Sequence, residues 1–414
     1  MFNKLTAWVV AVTLLLSACV DTTLVAEGGM TGTGISAGRI TGFGSIYVNG
    51  VYYNVDKAAF YRNGVVSNQS SFGAGEFVTV TGFVNVDGST GVASKVEFDD
   101  LVLGEVAALG TSGKTVSVLG QNVQIDSLSV LHGFEQLSDL QIGNVIQVSG
   151  VRLADGSIRA TSIALVSDAY TNGSTLKVQG IVSQLQPAQK IFQMGSLTVD
   201  YSAATVVGSD GASLANNQQV QVTAIQAPQG LVLKAQNVLA KAKPTYTTNS
   251  RLEVEGVVTA QTSASQFTLD DQAVAINAAT IFKGLTAAQI KVGLALEVNG
   301  KVSSSGLLQA ELVELRDTQA ANAKDIAGQI TAINSQKQTI TVAGYTLLMT
   351  KASMLLKPNI SARQYAARGG DRHPNVKFGE LVVGDYVEVN AIQLSDGAWQ
   401  VLRLDRGGRT QSMP

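Results

Sequence analysis

The chain has 414 residues, of which 45% are hydrophobic and only 14% are charged, and its formal net charge is −2. This length exceeds that of one typical domain and suits several. The charge balance provides no basic face of the kind on which general nucleic-acid binding depends, so no nucleic-acid partner is expected. Val, Ile and Thr are abundant and prolines number 6, which favours strands over helices.

Residues 1–18 have the features of a secretory signal peptide. The apolar stretch from Leu5 to Leu16 follows a single lysine and is too short to span a hydrocarbon core. Leu16-Ser17-Ala18-Cys19 resembles the bacterial lipobox. That resemblance implies cleavage before Cys19, diacylglycerol on its thiol and acylation of its new amino group, which together give effectively permanent anchoring. Cys19 is therefore the predicted lipid attachment site.

The residue after the anchor bears on location. Val20 stands where aspartate would favour inner-membrane retention in enterobacterial sorting, so the resemblance implies the outer membrane of a diderm bacterium. The alternative is an ordinary cleavable signal with a chance cysteine, although a stray thiol is a liability in an oxidising compartment. Residues 19–35 are rich in Gly and Thr and are predicted to form a flexible tether.

Three landmarks then recur five times in the same order. A glycine with a short apolar alternation opens each unit, an alternating strand follows, and a tight turn leads to a final strand. The opening glycines are 66 to 76 residues apart: Gly38, Gly104, Gly180, Gly256 and Gly328. We expect five tandem β-domains at 36–99, 102–167, 175–240, 251–316 and 325–405, followed by a tail at 406–414.

Each unit is predicted to hold about five strands. Asp155-Gly156 marks the last hairpin of the second unit, because glycine supplies the positive φ that a tight turn needs. Leucines at near-helical spacing before the fourth strand indicate one turn of helix. This order is that of a small OB-like β-barrel, so the predicted fold class is all-β. A small meander β-sandwich is the alternative fold.

The landmarks resemble a short bacterial domain family known only as a domain of unknown function, which commonly occurs in tandem in exported proteins and lipoproteins. The likeness covers Gly38 to about Asp405, and unit three departs from it where Asn217 and Ala224 replace glycines. The resemblance implies repeat number and location and carries no activity. Polar connections of seven to ten residues between units two and five predict separate domains with limited swivel.

No catalytic constellation is predicted, and neither a cofactor nor a metal site is expected. Gly34–Gly38 satisfies G-x-S-x-G, but it is not flanked by the strand and helix that a nucleophile elbow requires. Gly113-Lys114-Thr115 ends like a phosphate loop, yet a strand follows it. His132 and His373 lie in different units, which makes a transition-metal site improbable. The pairs Asp99-Asp100 and Asp270-Asp271 are interpreted as solvated turn carboxylates.

Two features indicate ligand binding. The first unit holds ten of the 24 aromatic residues, and outward tyrosines suit stacking against sugar rings. The alternative is that this unit has a larger core. The fifth unit carries an insertion with basic residues that suit phosphorylated glycans or an acidic partner. The candidate ligand-binding residues are Tyr47, Tyr52, Tyr53, Tyr61, Arg363, Arg368 and Arg372.

We therefore expect a lipid-anchored, non-enzymatic interaction protein of the cell envelope, with glycan or an envelope protein as partner. A structural spacer or assembly subunit is the first alternative. A hydrolase with an unrecognised site is the second.

Overall fold

The computed structural model describes residues 34–208, 213–357 and 372–407. Throughout these ranges the chain forms β-strands joined by turns and short 3-10 helices, and they contain no α-helix. Accordingly, no helix of the described part is long and apolar enough to cross a membrane. The predicted all-β class is confirmed.

The second repeat shows how each unit closes. Its first strand, β8 (Val102–Leu109), pairs with β9 (Thr115–Val118), and β9 pairs with β10 (Gln121–Gln124). β10 pairs in parallel with the last strand, β13 (Ile158–Ser167), which pairs with β12 (Val145–Arg152), and β12 returns to β8. This 1-2-3-5-4-1 circuit is a Greek-key barrel of the OB-like kind rather than a meander. Between β10 and β12 the chain also forms β11 (Val130–His132) and a 3-10 turn (Leu137–Asp139).

The first repeat closes through the same circuit, with an added β4–β5 hairpin. The expected single turn of helix precedes its fourth barrel strand, β6. The elements are β1 (Gly34–Phe43), β2 (Ile46–Val48), β3 (Val51–Asn54), β4 (Ala59–Arg62), β5 (Val65–Ser67), a 3-10 turn (Gln69–Ser71), β6 (Phe77–Val84) and β7 (Thr90–Phe98).

The fourth and fifth repeats also follow this circuit. The fourth comprises β22 (Arg251–Ser263), β23 (Gln266–Leu269), β24 (Gln272–Ala275), β25 (Ile281–Lys283), a 3-10 turn (Ala287–Gln289), β26 (Ala295–Val302) and β27 (Leu308–Leu315). The fifth comprises β28 (Ala323–Asn334), β29 (Thr339–Val342), β30 (Tyr345–Leu348), β31 (Met354–Leu356), a 3-10 turn (Phe378–Glu380), β32 (Tyr386–Gln393) and β33 (Trp399–Arg406).

The third repeat keeps the strand order but divides its first and last barrel strands in two, so its pairings fall into two sheets. Its strands are β14 (Leu176–Ile181), β15 (Ser183–Gln186), β16 (Ile191–Met194), β17 (Leu197–Asp200), β18 (Thr205–Val207), β19 (Gln219–Ala224), β20 (Val232–Lys234) and β21 (Asn237–Ala240).

One pattern of backbone hydrogen bonds recurs just before the fourth strand of every barrel. Barrels 1 to 5 are those of the first to fifth repeats. In barrel 2 the N–H of Gly143 donates to the carbonyl of Val106 at 2.9 Å, and the N–H of Val106 donates to the carbonyl of Asn144 at 2.8 Å. The residue at the Gly143 position has positive φ in all five barrels, which only Gly and Asn adopt readily. Its values are 79° at Gly75, 92° at Gly143, 65° at Asn217, 91° at Gly293 and 99° at Gly384. Asn217 therefore preserves this hydrogen-bond pattern in the divergent third repeat.

The expectation of separate domains with limited swivel is wrong, because the barrels pair and pack with one another. β1 of barrel 1 pairs in parallel with β22 of barrel 4, and β8 of barrel 2 pairs with β14 of barrel 3. A single apolar core extends through barrels 2 and 3. The described residues belong to one compact unit. The physical reason is that outward apolar side chains such as Val151 are covered by a neighbouring barrel, here by Val257 and Ala295.

Candidate functional site

Tyr47 and Tyr52 form a pair of aromatic rings on the outside of barrel 1. Tyr47 lies between inward Ile46 and Val48 on β2, and Tyr52 is its cross-strand partner on β3. Their ring centroids are 5.0 Å apart with an interplanar angle of 68°. Both side chains are half-buried. Burial, and then the neighbouring Tyr52, raise the pKa of Tyr47, so its hydroxyl stays protonated and able to donate.

The other two candidate tyrosines lie elsewhere. Tyr53 is only 2% exposed and belongs to the core of barrel 1, because strand alternation turns it inward. Tyr53 is thus not part of an exposed stacking face. Tyr61 is half-buried on β4 and pairs with Val66 and with Glu97 near the end of β7. Tyr52 instead pairs with Thr90 at the start of β7. The structure therefore separates Tyr61 from the Tyr47–Tyr52 pair.

The described end of the fifth-repeat insertion, from residue 372, packs against barrel 1. The ring of His373 stacks on Phe43 with centroids 3.8 Å apart, and its Nε2 lies 2.9 Å from the carbonyl oxygen of Phe72. Asn375 borders the tyrosine pair, since a Cβ built on Gly42 would lie 3.2 Å from Asn375 Nδ2 and equally close to the Tyr47 ring. The end of the insertion thus meets the aromatic barrel, although nothing in the sequence relates the two segments.

Arg372 is half-buried at this contact and is fully engaged by neighbouring side chains. Its Nη1 donates to Glu76 at 2.8 Å and to Gln147 at 2.9 Å, which joins barrels 5, 1 and 2. Glu76 is 1% exposed and also pairs with Arg62 at 2.8 Å. Arg372 is therefore placed to hold barrels together. The candidates Arg363, Arg368 and Cys19 lie outside the described residues.

His132 belongs to the same junction. Its Nε2 lies 2.9 Å from the carbonyl oxygen of Ala74, two residues from the carbonyl that His373 contacts. Burial, and then the charge of Arg372, lower the pKa of His132 to about 4, so it is neutral near pH 7. The two histidines are brought to one loop, although they are 241 positions apart. Within the described ranges, no group of three or more His, Cys, Asp or Glu side chains is placed to hold a metal ion.

Of the carboxylates interpreted as solvated, one is instead fully buried and another is half-buried. Asp100 is fully buried and accepts from Asn63 at 2.8 Å and Gln147 at 2.6 Å. Asp270 accepts from the N–H of Val257 at 3.0 Å, and burial raises its pKa to about 8. Contacts between barrels 1 and 2 remove Asp100 from water. Asp99 is exposed as expected and pairs with a lysine.

A cleft of about 310 Å³ lies between barrels 2 and 4. At its base Arg159 pairs with Asp126 at 2.6 Å and with Asp317 at 3.3 Å. The cleft has no aromatic side chain in its lining, which consists of Gln124, Ile125, Asp126, Leu153, Ala154, Asp155, Arg159, Val292, Gly293, Asp317 and Gln319. Because three of its four charged side chains already pair with each other, the tyrosine pair is the better candidate for ligand contact.

A family model described as a domain of unknown function, DUF5666, matches five segments of the chain. The matched residues are 35–97, 104–164, 170–238, 255–314 and 327–403, which together make up well over half of the sequence. Each matched segment corresponds to one barrel. No curated protein matches the chain.

Proposed function

Since the chain belongs to the DUF5666 family, with five copies of a domain of unknown function, we propose that it is a lipid-anchored, non-catalytic interaction protein of the cell envelope. Its first barrel binds envelope glycan through Tyr47 and Tyr52. The proposal rests chiefly on one observation, the outward tyrosine pair on the second and third strands of an OB-like barrel. On such barrels this face binds oligosaccharides and oligonucleotides.

The chemistry of the pair supports a sugar ligand. A tyrosine ring offers an apolar face to the C–H groups of a sugar, while its hydroxyl can hydrogen-bond to sugar hydroxyls. The chain carries a formal net charge of −2, which disfavours an oligonucleotide at the same face.

The glycan proposal is tested with full-length protein on an array of envelope glycans. Tyr47→Ala and Tyr52→Ala should each reduce binding at least tenfold while the protein stays folded. Tyr61→Ala is the matched control, being another half-buried tyrosine of the same barrel on a different strand, and it should bind like the wild type. Equal binding by all variants would contradict the proposal.

Anchoring is tested separately with Cys19→Ser. The variant should lose acylation and leave the membrane fraction, and density-gradient fractionation of the wild type should place the protein in the outer membrane. A mature, unacylated variant that still sediments with membranes would contradict the lipobox interpretation.

A structural spacer or assembly subunit is the second candidate. Its supporting observation is the set of buried ion pairs that join barrels, such as Arg39 with Glu255 and Arg372 with Glu76. A folded, membrane-anchored protein that binds no glycan on the array would favour this role. A broad hydrolase screen tests the remaining alternative, an enzyme.

A further inference from the structure

The β6–β7 hairpin of barrel 1 presents an exposed apolar tip. Val86 is 99% exposed, Phe83 is 44% exposed and its cross-strand partner Val92 is 37% exposed. The tip is ordered: the Asp87 carboxylate accepts from the N–H groups of Ser89 and Thr90 at 2.9 and 3.0 Å. Val86 is therefore held in solvent by a defined turn.

The same strand position is covered in two other barrels. Val151 of barrel 2 and Ile392 of barrel 5 each follow the small residue of the fourth strand, as Phe83 follows Gly82. Val151 is 8% exposed and Ile392 is fully buried, both against barrel 4. Phe83 has no comparable cover from the described part of the chain. An apolar partner outside the described residues would complete the pattern.

The tip lies close to the start of β1, the first described strand. Gly34, the first residue of β1, pairs with Gly82, the residue before Phe83. Cys19 is 15 positions before Gly34, a separation that spans at most about 50 Å of extended chain. A lipid on Cys19 would thus keep this end of barrel 1 within reach of the bilayer.

Charged side chains of both signs lie near this end of the fold, with the Asp87 carboxylate in the tip itself. Lys351 donates to Ser89 Oγ at the tip at 2.8 Å, and the backbone carbonyl of Arg251 lies beside Gly34. Arg251 and Lys301 are partly exposed and share Glu311. An apolar tip with adjacent cations matches a bilayer surface, where hydrocarbon lies beneath anionic headgroups.

We propose that the β6–β7 tip of barrel 1, formed by Phe83, Val86 and Val92, inserts into the lipid bilayer to which Cys19 anchors the chain. The inference rests on the proposed anchoring and adds to it a second, non-covalent membrane contact. The contact sets the orientation of barrel 1 relative to the membrane.

The test uses the lipidated full chain in vesicles of phosphatidylethanolamine and phosphatidylglycerol. Because Cys19 is the only cysteine and the proposed diacylglycerol blocks its thiol, Val86→Cys creates a single site for an environment-sensitive fluorophore. We expect its emission to shift to the blue and to be quenched by nitroxide-labelled lipids.

Val66→Cys is the matched control. Val66 is 76% exposed, but its hairpin pairs near Phe98, at the far end of β7 and roughly 25 Å from the tip. The label at position 66 should show neither shift nor quenching. Equal quenching at both positions would overturn the inference.

The remaining outcomes separate this inference from the anchor. Protein that floats with vesicles while the label at position 86 stays unshifted refutes tip insertion and leaves anchoring intact. Protein that does not float, and whose Cys19 reacts with the fluorophore, refutes the anchor and the inference together. A shift that appears only at high protein-to-lipid ratio indicates a second copy of the chain as partner and also overturns the inference.

Discussion

At the scale of single residues, buried charged side chains bind neighbouring barrels to one another. Arg403 is 1% exposed, pairs with Asp405 within barrel 5 and donates to the carbonyls of Ser127 and Ser129 in barrel 2. A buried charge is tolerated only when it is paired and hydrogen-bonded. Such groups therefore specify which barrel surfaces meet.

Adjacent tyrosines should behave differently in unfolding experiments on the full chain. Tyr53→Ala removes a core ring and should cost about 3–5 kcal/mol, as for other large aromatic truncations. Tyr52→Ala removes an outward ring and should cost about 1 kcal/mol or less. Urea unfolding measures both changes. Similar losses for the two variants would show that Tyr52 also belongs to the core.

Glu253 should make stability depend on pH. Burial, and then the nearby charge of Glu297, raise its pKa to about 8, against about 4.3 in an unfolded chain. The folded state therefore binds this proton more tightly, and its contribution to stability is full below about pH 4.3 and is lost as the pH rises to 8. The loss is at most about 1.4 kcal/mol per pH unit.

Glu253→Gln tests this dependence, since a neutral side chain of the same shape cannot ionise. The variant should exceed the wild type in unfolding free energy at pH 9, and the difference should shrink as the pH falls towards 5. Glu311→Gln, at an exposed carboxylate of the same barrel, is the control for the effect of the substitution itself. A constant difference between Glu253→Gln and wild type across this range would contradict the prediction.

At the scale of elements, the barrel repeat depends on the left-handed residue before the fourth strand. Gly143→Ala should cost about 1–2 kcal/mol, since φ is 92° and no atom lies close enough to clash with the new Cβ. Asn217→Gly should change stability by about 0.5 kcal/mol or less, because both residues adopt positive φ. Thermal denaturation measures both. A neutral Gly143→Ala would show that the conformation is not required.

At the scale of the whole molecule, the connections between barrels differ in how well they are held. The stretch 242–249 is largely exposed and belongs to no strand. By contrast, Asp317 is 6% exposed in the connection between barrels 4 and 5, and Asn322 donates to carbonyls of Gly284 and Gln393. Protein contacts therefore protect the second connection from a protease.

Among the connections between barrels, limited proteolysis should cut first within 242–249. The fragments should stay together in gel filtration, because β1 and β22 lie on opposite sides of the cut and remain paired. A denaturing gel should separate them. Equally early cleavage at 317–324 would contradict this order.

Much of the barrel was predictable from local patterns. The alternation around Tyr47 places it outward, Gly143 marks the turn into the fourth strand, and the repeat number follows from their recurrence. These features depend on neighbours within one strand or turn, so the chain encodes them directly. The same alternation would also have assigned Tyr53 to the core.

Contacts between barrels were not predictable from the sequence. His132 and His373 reach the same loop, Arg372 pairs with Glu76, and Asp100 is buried, yet no spacing or composition links these residues. Each contact joins segments whose sequence separation exceeds the range of any local pattern. The sequence alone therefore determined the repeated barrel and the outward position of Tyr47, whereas only the tertiary structure decided which barrel surfaces meet, because that depends on the fit of complete folded surfaces.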